Sequence, residues 1–583
     1  MGTTTVAPPP EPDVQFRAAI CWTGPIVGAQ EDDIRNGIVR IAGGEDPALG
    51  KAFVAALVPV KAAADPRHYA PVNGTDPAHL PAKWTSDRHG WFGITAPLAL
   101  WKAPAVGVLL VLLYNNSKSL AYYTFDDYEQ AGLRAEGASR KGVLASRGAE
   151  KAWPPMSEEI YKRIKGAIDK AVKQLLGDQN VDALRKGLAE PHLAAAGADG
   201  TRREFVFAAA SCQFPSAMLE DEIAGASYKR LASRLANGKL PRPQFLLLMG
   251  DQIYVDGTAG LFDPTSQFDR FVRPYEILFR MKSVREVLRK LPAFMMMDDH
   301  EIADNWEPRV DDPRPDPDMI EGRASYLRYE RGAGPPKHAP VCDSRHPLWY
   351  RFRFDGLPVF MADTRTERTA RTARRILAAR IMSAGQMSAL LRWLSEQPDD
   401  LPKIVASPSI LLPRHARAVQ RKRVASALRS DGWDGYPSSL NRVLAHIANE
   451  KIRNVVFLSG DEHLSCVARV EVAAAGGETV VVHSVHSSPL FAPFPFANSV
   501  RADLVATDEF GFHSARDADD KCDTAPGIGG QYACRVDTEF AAPGDGFAVL
   551  RFHRDDGPWM MECEFNRAGD TPPPGSRIVR TLA

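Results

Sequence analysis

The sequence predicts an α/β fold for the larger part of the chain, and three observations predict it. Between Phe205 and Ser459 short, continuous apolar runs recur, helical patterns fall between them, and almost every run ends in a polar cluster. Runs of about five apolar residues bounded by turn signals fit strands buried on both faces. Strands that alternate with helices build a helix-covered sheet, which is the α/β class.

In chain order, residues 1–14 read as a Pro-rich tail, and residues 15–195 as an N-terminal domain of mixed structure and unassigned role. Within it Ala105–Leu113 (AVGVLLVLL) reads as a buried strand, because it is far shorter than the ~20 residues a membrane span needs. A helix is expected after Ser157 as N-cap, with Glu158 and Glu159 in its first turn, with Ile160, Ile164, Ile168, Val172 and Leu175 on one face, and with Gly177 as its stop. Its Lys162, Arg163, Lys165, Lys170 and Lys173 are expected on a solvated face. Ala194–Gly200 (AAAGADG) reads as a linker, and a second domain is expected over 203–583.

The strands of that domain are read from FVFAAA before Ser211, FLLLM before Gly250, AFMMM before Asp298, PVFMA before Asp363, KIVAS before Pro408 and VVFLS before Gly460. Helices are expected at Ser283–Leu291, Ser383–Gln397 and Ser439–Glu450. Two Pro- and charge-rich segments, 306–347 and 491–541, interrupt the alternation and read as lid-like insertions. At ~150 residues per domain, 583 residues make two to four domains, which this division narrows to one catalytic domain and one preceding region.

Composition excludes several classes. Lys plus Arg is 72 and Asp plus Glu is 72, so no global field points to nucleic acid or an anionic membrane. Seven cysteines without CxxC spacing rule out a disulfide scaffold. Cys522 and Cys534 could form one bridge, and a reducing compartment accounts for the set equally well. The first residues carry no basic segment followed by an apolar one, and the Arg202-Arg203 pair lies mid-chain; the expectation is a cytoplasmic chain with no membrane span.

In α/β sheets functional groups gather beyond the carboxyl ends of strands. That edge would collect Cys212, Asp251, Tyr254, Asp298, Asp299, His300, Asp363, Arg365, Asp461 and His463. Each has a bland reading alone: a Gly-Asp turn, a small buried thiol, a packed tyrosine, a core histidine, a local ion pair. Asp298-Asp299-His300-Glu301 resists that reading, since three acids directly after five apolar residues are expensive to bury without a cation. Oxygen donors suit Mg, Ca, Mn or ferric iron, and Cys with His adds softer ligands, so two unlike metals are expected.

These residues carry a resemblance. Ser211-Cys212-Gln213, Gly250-Asp251-Gln252-Ile253-Tyr254, Asp298-Asp299-His300-Glu301, Asp363-Thr364-Arg365, Trp433-Asp434-Gly435-Tyr436 and Ser459-Gly460-Asp461-Glu462-His463 stand in the order seen in PhoD-like alkaline phosphatases of the calcineurin-like metallophosphoesterase superfamily. The likeness spans roughly 205–489. It implies a two-layer β core flanked by helices, with a dinuclear site at the strand ends. Asp251 resembles the bridging carboxylate. Cys212, Tyr254 and His463 resemble ligands of a ferric ion, and Asp299 and Asp461 resemble ligands of calcium or another divalent cation. The superfamily's usual first Asp-x-His is absent, with Cys212 in its place; His415 is the one candidate for a further histidine between the third and last motifs.

The implied reaction is hydrolysis of a small phosphate ester, with hydroxide at Asp251 as nucleophile, Arg365 holding phosphoryl oxygens, His300 protonating the leaving group and Asp298 orienting His300. The leading expectation is a phosphomonoesterase. The alternatives are a phosphodiesterase on lipid, nucleotide or polymer diesters, and a catalytically weak metal-binding interaction protein.

Overall fold

The computed structural model describes residues 14–63, 69–72, 78–79, 85–86, 90–117, 120, 123, 125–135, 137, 155–178, 180–191, 204–214, 221–237, 241–257, 264–310, 316–331, 347–419, 424–487, 489–493, 499–514, 531–568 and 575–582. The linker expected at Ala194–Gly200, the Arg202-Arg203 pair and Cys522 lie outside them; Cys534 carries a free, buried thiol. The chain divides into two compact units, one of Met1–Val27, Asp33–Pro191 and Leu288–Lys290, the other of Gly28–Asp32, His192–Val287 and Leu291–Ala583.

In the first unit, the strand Gly107–Asn115 pairs antiparallel with Phe16–Ile20 and Ala52–Ala62. The helix Glu158–Gly177 covers them. Ser157 caps it by accepting from Ile160 N, and Tyr161, Ile164, Ile168, Val172 and Leu176 are buried. Ile160 and Leu175, expected in that stripe, are only half-buried, because the seam follows the 3.6-residue period one position over. Gly177 is the last helical residue and Asp178 the C-cap.

The second unit contains fourteen described strands. In chain order they are β1 (Glu204–Ala210), β2 (Leu246–Met249), β3 (Ala293–Met296), β4 (Tyr350–Phe354), β5 (Leu357–Met361), β6 (Lys403–Ser407), β7 (Val455–Ser459), β8 (Leu464–Ala474), β9 (Thr479–Ser487), β10 (Thr507–His513), β11 (Gln531–Pro543), β12 (Gly546–His553), β13 (Met560–Arg567) and β14 (Arg577–Thr581). They form a six-stranded sheet in the order β3-β2-β1-β12-β13-β14 and an eight-stranded sheet in the order β4-β5-β6-β7-β9-β8-β11-β10. The triplets β1-β2-β3 and β5-β6-β7 are each parallel.

The apolar runs are continuous because both faces of these strands are covered. Phe207, Leu247 and Phe294 of the first sheet share a core with Val359, Met361, Ile404, Val456 and Leu458 of the second. The alternate residues Phe360, Val405, Val455 and Phe457 pack instead against Leu390 and Leu394 of the helix Ala384–Glu396 and Val443, Leu444 and Ile447 of Pro437–Glu450. A period of two with apolar residues on both faces gives no alternation to read.

The expected insertions contain regular structure. The helix Pro317–Tyr329, capped by Asp316, lies within 306–347, while β10 and most of β11 lie within 491–541. Their charged residues had masked the elements. In β10 the exposed positions Thr507, Glu509 and His513 alternate with buried Asp508 and Phe512, as an edge strand requires. The third expected helix, at Ser283–Leu291, is Lys282–Leu288.

Candidate active site

The site is built from the turns that leave the parallel strands. Three residues immediately beyond β1, β2 and β7 adopt left-handed backbone: Cys212 (φ 58°), Asp251 (φ 56°) and Asp461 (φ 79°). Non-glycine residues rarely hold that conformation, and where they do the surrounding structure enforces it, commonly at functional sites. The enforcing contacts are visible. Cys212 N donates to Gly250 O at 3.1 Å and Gln213 N to Asp251 O at 2.7 Å, locking the first two turns together.

The glycines of the two Gly-Asp pairs are required by close approach. A Cβ on Gly250 (φ 92°) would stand 2.4 Å from Asp298 Cβ, and one on Gly460 would stand 2.5 Å from Ser211 Cβ and 2.6 Å from Met249 O. Gly460 therefore lets the end of β7 reach the ends of β1 and β2. Glu301 gathers the remaining backbone: its Oε2 accepts from Asp251 N (3.1 Å) and Asp298 N (2.8 Å), and its Oε1 from Gln252 N (2.6 Å). That role, missed in the motif, gives its burial a partner set.

The turns bring together all six sequence-selected ligand candidates. Asp251, Asp298, Asp299 and Asp461 each offer an oxygen within 4.8 Å of the others, and Asp251, Asp299 and His300 form an overlapping group. Cys212 Sγ lies 3.3 Å from Asp251 Oδ2 and 3.4 Å from Asp461 O. Tyr254 Oη and His463 Nε2 are 3.2 Å apart. The Tyr254 ring lies against the His300 ring, centroids 4.0 Å apart and tilted by 30°.

Packing these groups together is electrostatically costly. Burial, then the charges of Cys212, Asp299, Asp298 and Glu301, pushes Asp251 well above the ordinary carboxylate range. Burial, then Asp431 and Asp298, does the same to Asp461 against the pull of Arg365. Burial raises Asp298 to about 7 despite Arg365, and Glu301 to about 7 despite its three backbone donors. Burial, then Cys212 and Asp251, drives the Tyr254 phenol upward. Every shift disfavours the charged form, and a bound cation would reverse that preference. The donor set, carboxylates with a thiol, a phenol and an imidazole, thus fits metal binding.

Two expected partnerships are corrected by the geometry. Asp298 does not back His300; it accepts from Arg365 Nε. His300 Nδ1 instead lies 2.8 Å from Asp256 Oδ1, a residue the motifs did not single out. Burial alone would lower His300, and the charges of Asp299, Asp256 and Asp304 outweigh it and hold it up at about 9. Arg365, expected to face substrate, has no exposed surface. Its guanidinium is spent on Asp298, Asp431, Asp299 (3.4 Å) and Asp461 (3.3 Å). Asp363 stays outside the cluster, accepting from Arg365 N (3.0 Å) and Thr366 N (2.8 Å) to form the turn that aims Arg365 inward.

Outside the cluster opens a cavity of about 450 Å³, lined by Asp299, His300, Asp461 and His463 of the cluster and also by His415, Arg417, Asp431, Glu462 and Ser499. His415 is placed here by its backbone N–H, which donates to Asp434 Oδ2 at 2.7 Å, and by its Nε2 contact with Glu462. Asp434 belongs to the Trp433-Asp434-Gly435-Tyr436 turn, so that motif supports the wall rather than the chemistry. Asp431 was invisible in the sequence because it follows no apolar strand; it stands two residues past the 3-10 helix Val424–Arg429.

The sequence profile of the PhoD-like phosphatase family matches residues 207–517. A solved structure titled "Structure of PhoD" is similar over 100% of this chain and 90% of that chain, with a TM-score of 0.49 and 13% identity. No curated protein matches in sequence.

Proposed function

The chain belongs to the PhoD-like phosphatase family and is a phosphoesterase, and we propose that it hydrolyses small phosphoric monoesters at a dinuclear metal site centred on Asp251. The observation that carries the reading is the pair of overlapping donor groups that share Asp251 and Asp299, one of them including His300, which also lines the cavity. Asp251 would serve both ions, with Cys212, Tyr254 and His463 on one side and Asp299 and Asp461 on the other. The thiol and phenol favour ferric iron for the first ion, and the carboxylates favour calcium or another hard divalent cation for the second. The likeness of the two-sheet core to metallophosphoesterases belongs to the same reading.

Metal ions held there would supply Lewis acidity and bring a water toward a pKa near 7. The chain's own residues supply the rest. His300 faces the cavity with Nδ1 committed to Asp256, which leaves Nε2 to deliver a proton to the departing alkoxide. Arg365 pairs with Asp298 and Asp431 and offsets part of their charge beside the ligand turns. The cavity size suits a small ester.

The test is turnover of an aryl phosphate monoester and the matching diester by metal-loaded protein, with metal analysis and visible absorption on the same sample. Higher kcat/KM for the monoester is expected, with a charge-transfer band lost in Cys212→Ser or Tyr254→Phe. Asp251→Asn should abolish both metal retention and turnover. Turnover that survives Asp251→Asn would refute the assignment of the site, and a preference for the diester would replace the monoesterase reading.

A further inference from the structure

We propose that Arg417 is the substrate-anchoring cation of the cavity, gripping the free phosphoryl oxygens of a dianionic monoester. The inference rests on the phosphoesterase reading of the same site and names a residue that neither the motifs nor the family resemblance selected.

The need for such a residue follows from charge. The cavity wall carries Asp299, Asp304, Asp431, Asp461, Glu462 and Asp503, and cations at the Asp251 cluster would offset only the acids nearest to them. Asp431 is paired with Arg365 and Glu462 with His415, but a dianion arriving from solvent still meets Asp304 and Asp503, in a partly desolvated space where like charges repel strongly. The arginine chosen from the sequence cannot help, because Arg365 is wholly buried among four carboxylates. Its neighbours are committed too. Arg368 is buried against Asp431 and Thr364 O, and Arg371 is paired with Glu307 and lies over the Tyr436 ring.

Arg417 differs from all of these. Among the described residues it is the only Lys or Arg lining the cavity. Its side chain is 57% exposed, and the nearest acid, Glu462 Oε1, is 3.9 Å away, beyond hydrogen-bond distance. Glu462 itself is already committed to His415 and to Ser499 Oγ at 2.5 Å. The backbone below Arg417 is nevertheless fixed. Arg414 forms a two-point pair with Asp508 at 2.6 and 2.8 Å and stacks on Phe510, Val505 N donates to Arg414 O at 3.0 Å, and His415 is held as described above. A guanidinium with an open hydrogen-bonding fork on an anchored wall is suited to two-point recognition of phosphate. A monoester offers it two charged oxygens to share with the metals, whereas a diester offers one.

The experiment compares wild type with Arg417→Gln and Arg417→Lys, all metal-loaded, by calorimetric titration with inorganic phosphate and by steady-state turnover of the aryl monoester and diester. Losing one charged hydrogen-bond partner weakens phosphate binding and raises the monoester KM by roughly ten- to a hundredfold. Under the proposal kcat changes little, the diester KM changes less, and Arg417→Lys recovers part of the loss. The exposure of Arg417 predicts unaltered thermal unfolding for both variants. Phosphate affinity and monoester KM within about twofold of wild type in Arg417→Gln, with turnover intact, overturn this inference and leave the phosphoesterase reading standing. A wild type that binds phosphate through Arg417 yet turns over no ester would keep the anchor and refute the reaction; a wild type that neither binds nor hydrolyses refutes both.

Discussion

Replacing Gly250 by alanine should separate the ligand-bearing turns, and the cost can be worked from two distances. The residue sits at φ 92°, where an L side chain costs roughly 1–2 kcal/mol. The new Cβ would stand 2.4 Å from Asp298 Cβ and 3.1 Å from Asp298 N, against the ~3.5–4.0 Å of an ordinary carbon contact. Relief requires the β2 and β3 turns to part by about 1 Å, an overpacking that typically costs ~1–3 kcal/mol. The sum is about 2–5 kcal/mol, a large share of a typical domain's ~5–15 kcal/mol. Because Asp251 lies on one turn and Asp299 on the other, the same displacement should weaken calcium binding at least tenfold. Gly356→Ala is the control. Its φ is 91° in the β4–β5 hairpin, yet nothing lies within 4 Å of the added atom, so only the backbone cost of ~1–2 kcal/mol remains. Urea unfolding of metal-free protein and calorimetric calcium titration check both. Equal destabilisation by the two variants, with calcium binding unchanged in Gly250→Ala, would refute the claim that this glycine sets the spacing of the ligands.

Other outcomes follow from the same geometry. Glu301→Gln turns an amide NH2 toward the Gln252 N–H that Oε1 now accepts, so it should destabilise the metal-free protein by about 1.5–3 kcal/mol in urea unfolding. Asp256→Asn removes a charge that raises His300; protonated His300 is present below its pKa, so the alkaline limb of kcat should move about one pH unit downward. Metal-free protein should lose stability as pH rises from about 4.5 through about 7, because the folded state holds protons on Asp298 and Glu301 that the unfolded chain has released. Calcium should reverse that trend, measured as the melting temperature against pH with and without the ion.

How much of this was legible depended on the range of the interaction that encodes it. The strands β1, β2, β3, β5, β6 and β7 could be read locally, since burial on both faces writes an unbroken apolar run. The residues after them stood out only together, since a Gly-Asp turn or a buried thiol is ordinary alone while the acids Asp298, Asp299 and Glu301 are expensive to bury without a cation. The helix Pro317–Tyr329 carried its own start signal in Asp316-Pro317 and was still obscured by the charges around it.

What the sequence by itself determined was therefore the class of fold, the edge where the polar groups gather and side chains that meet there: Cys212, Asp251, Tyr254, Asp299, Asp461 and His463. Which acid serves which base was decided only in three dimensions. Asp298 meets Arg365 across 67 residues and His300 meets Asp256 across 44, pairings that no local period or turn signal expresses. Asp431 stands in an irregular segment and Arg417 in the four-residue helix Ala416–Val419, and the positions of both follow from how the wall packs. Strand ends are encoded by the residues that form them, whereas the partner of a side chain is fixed by the packing of segments that are remote along the chain.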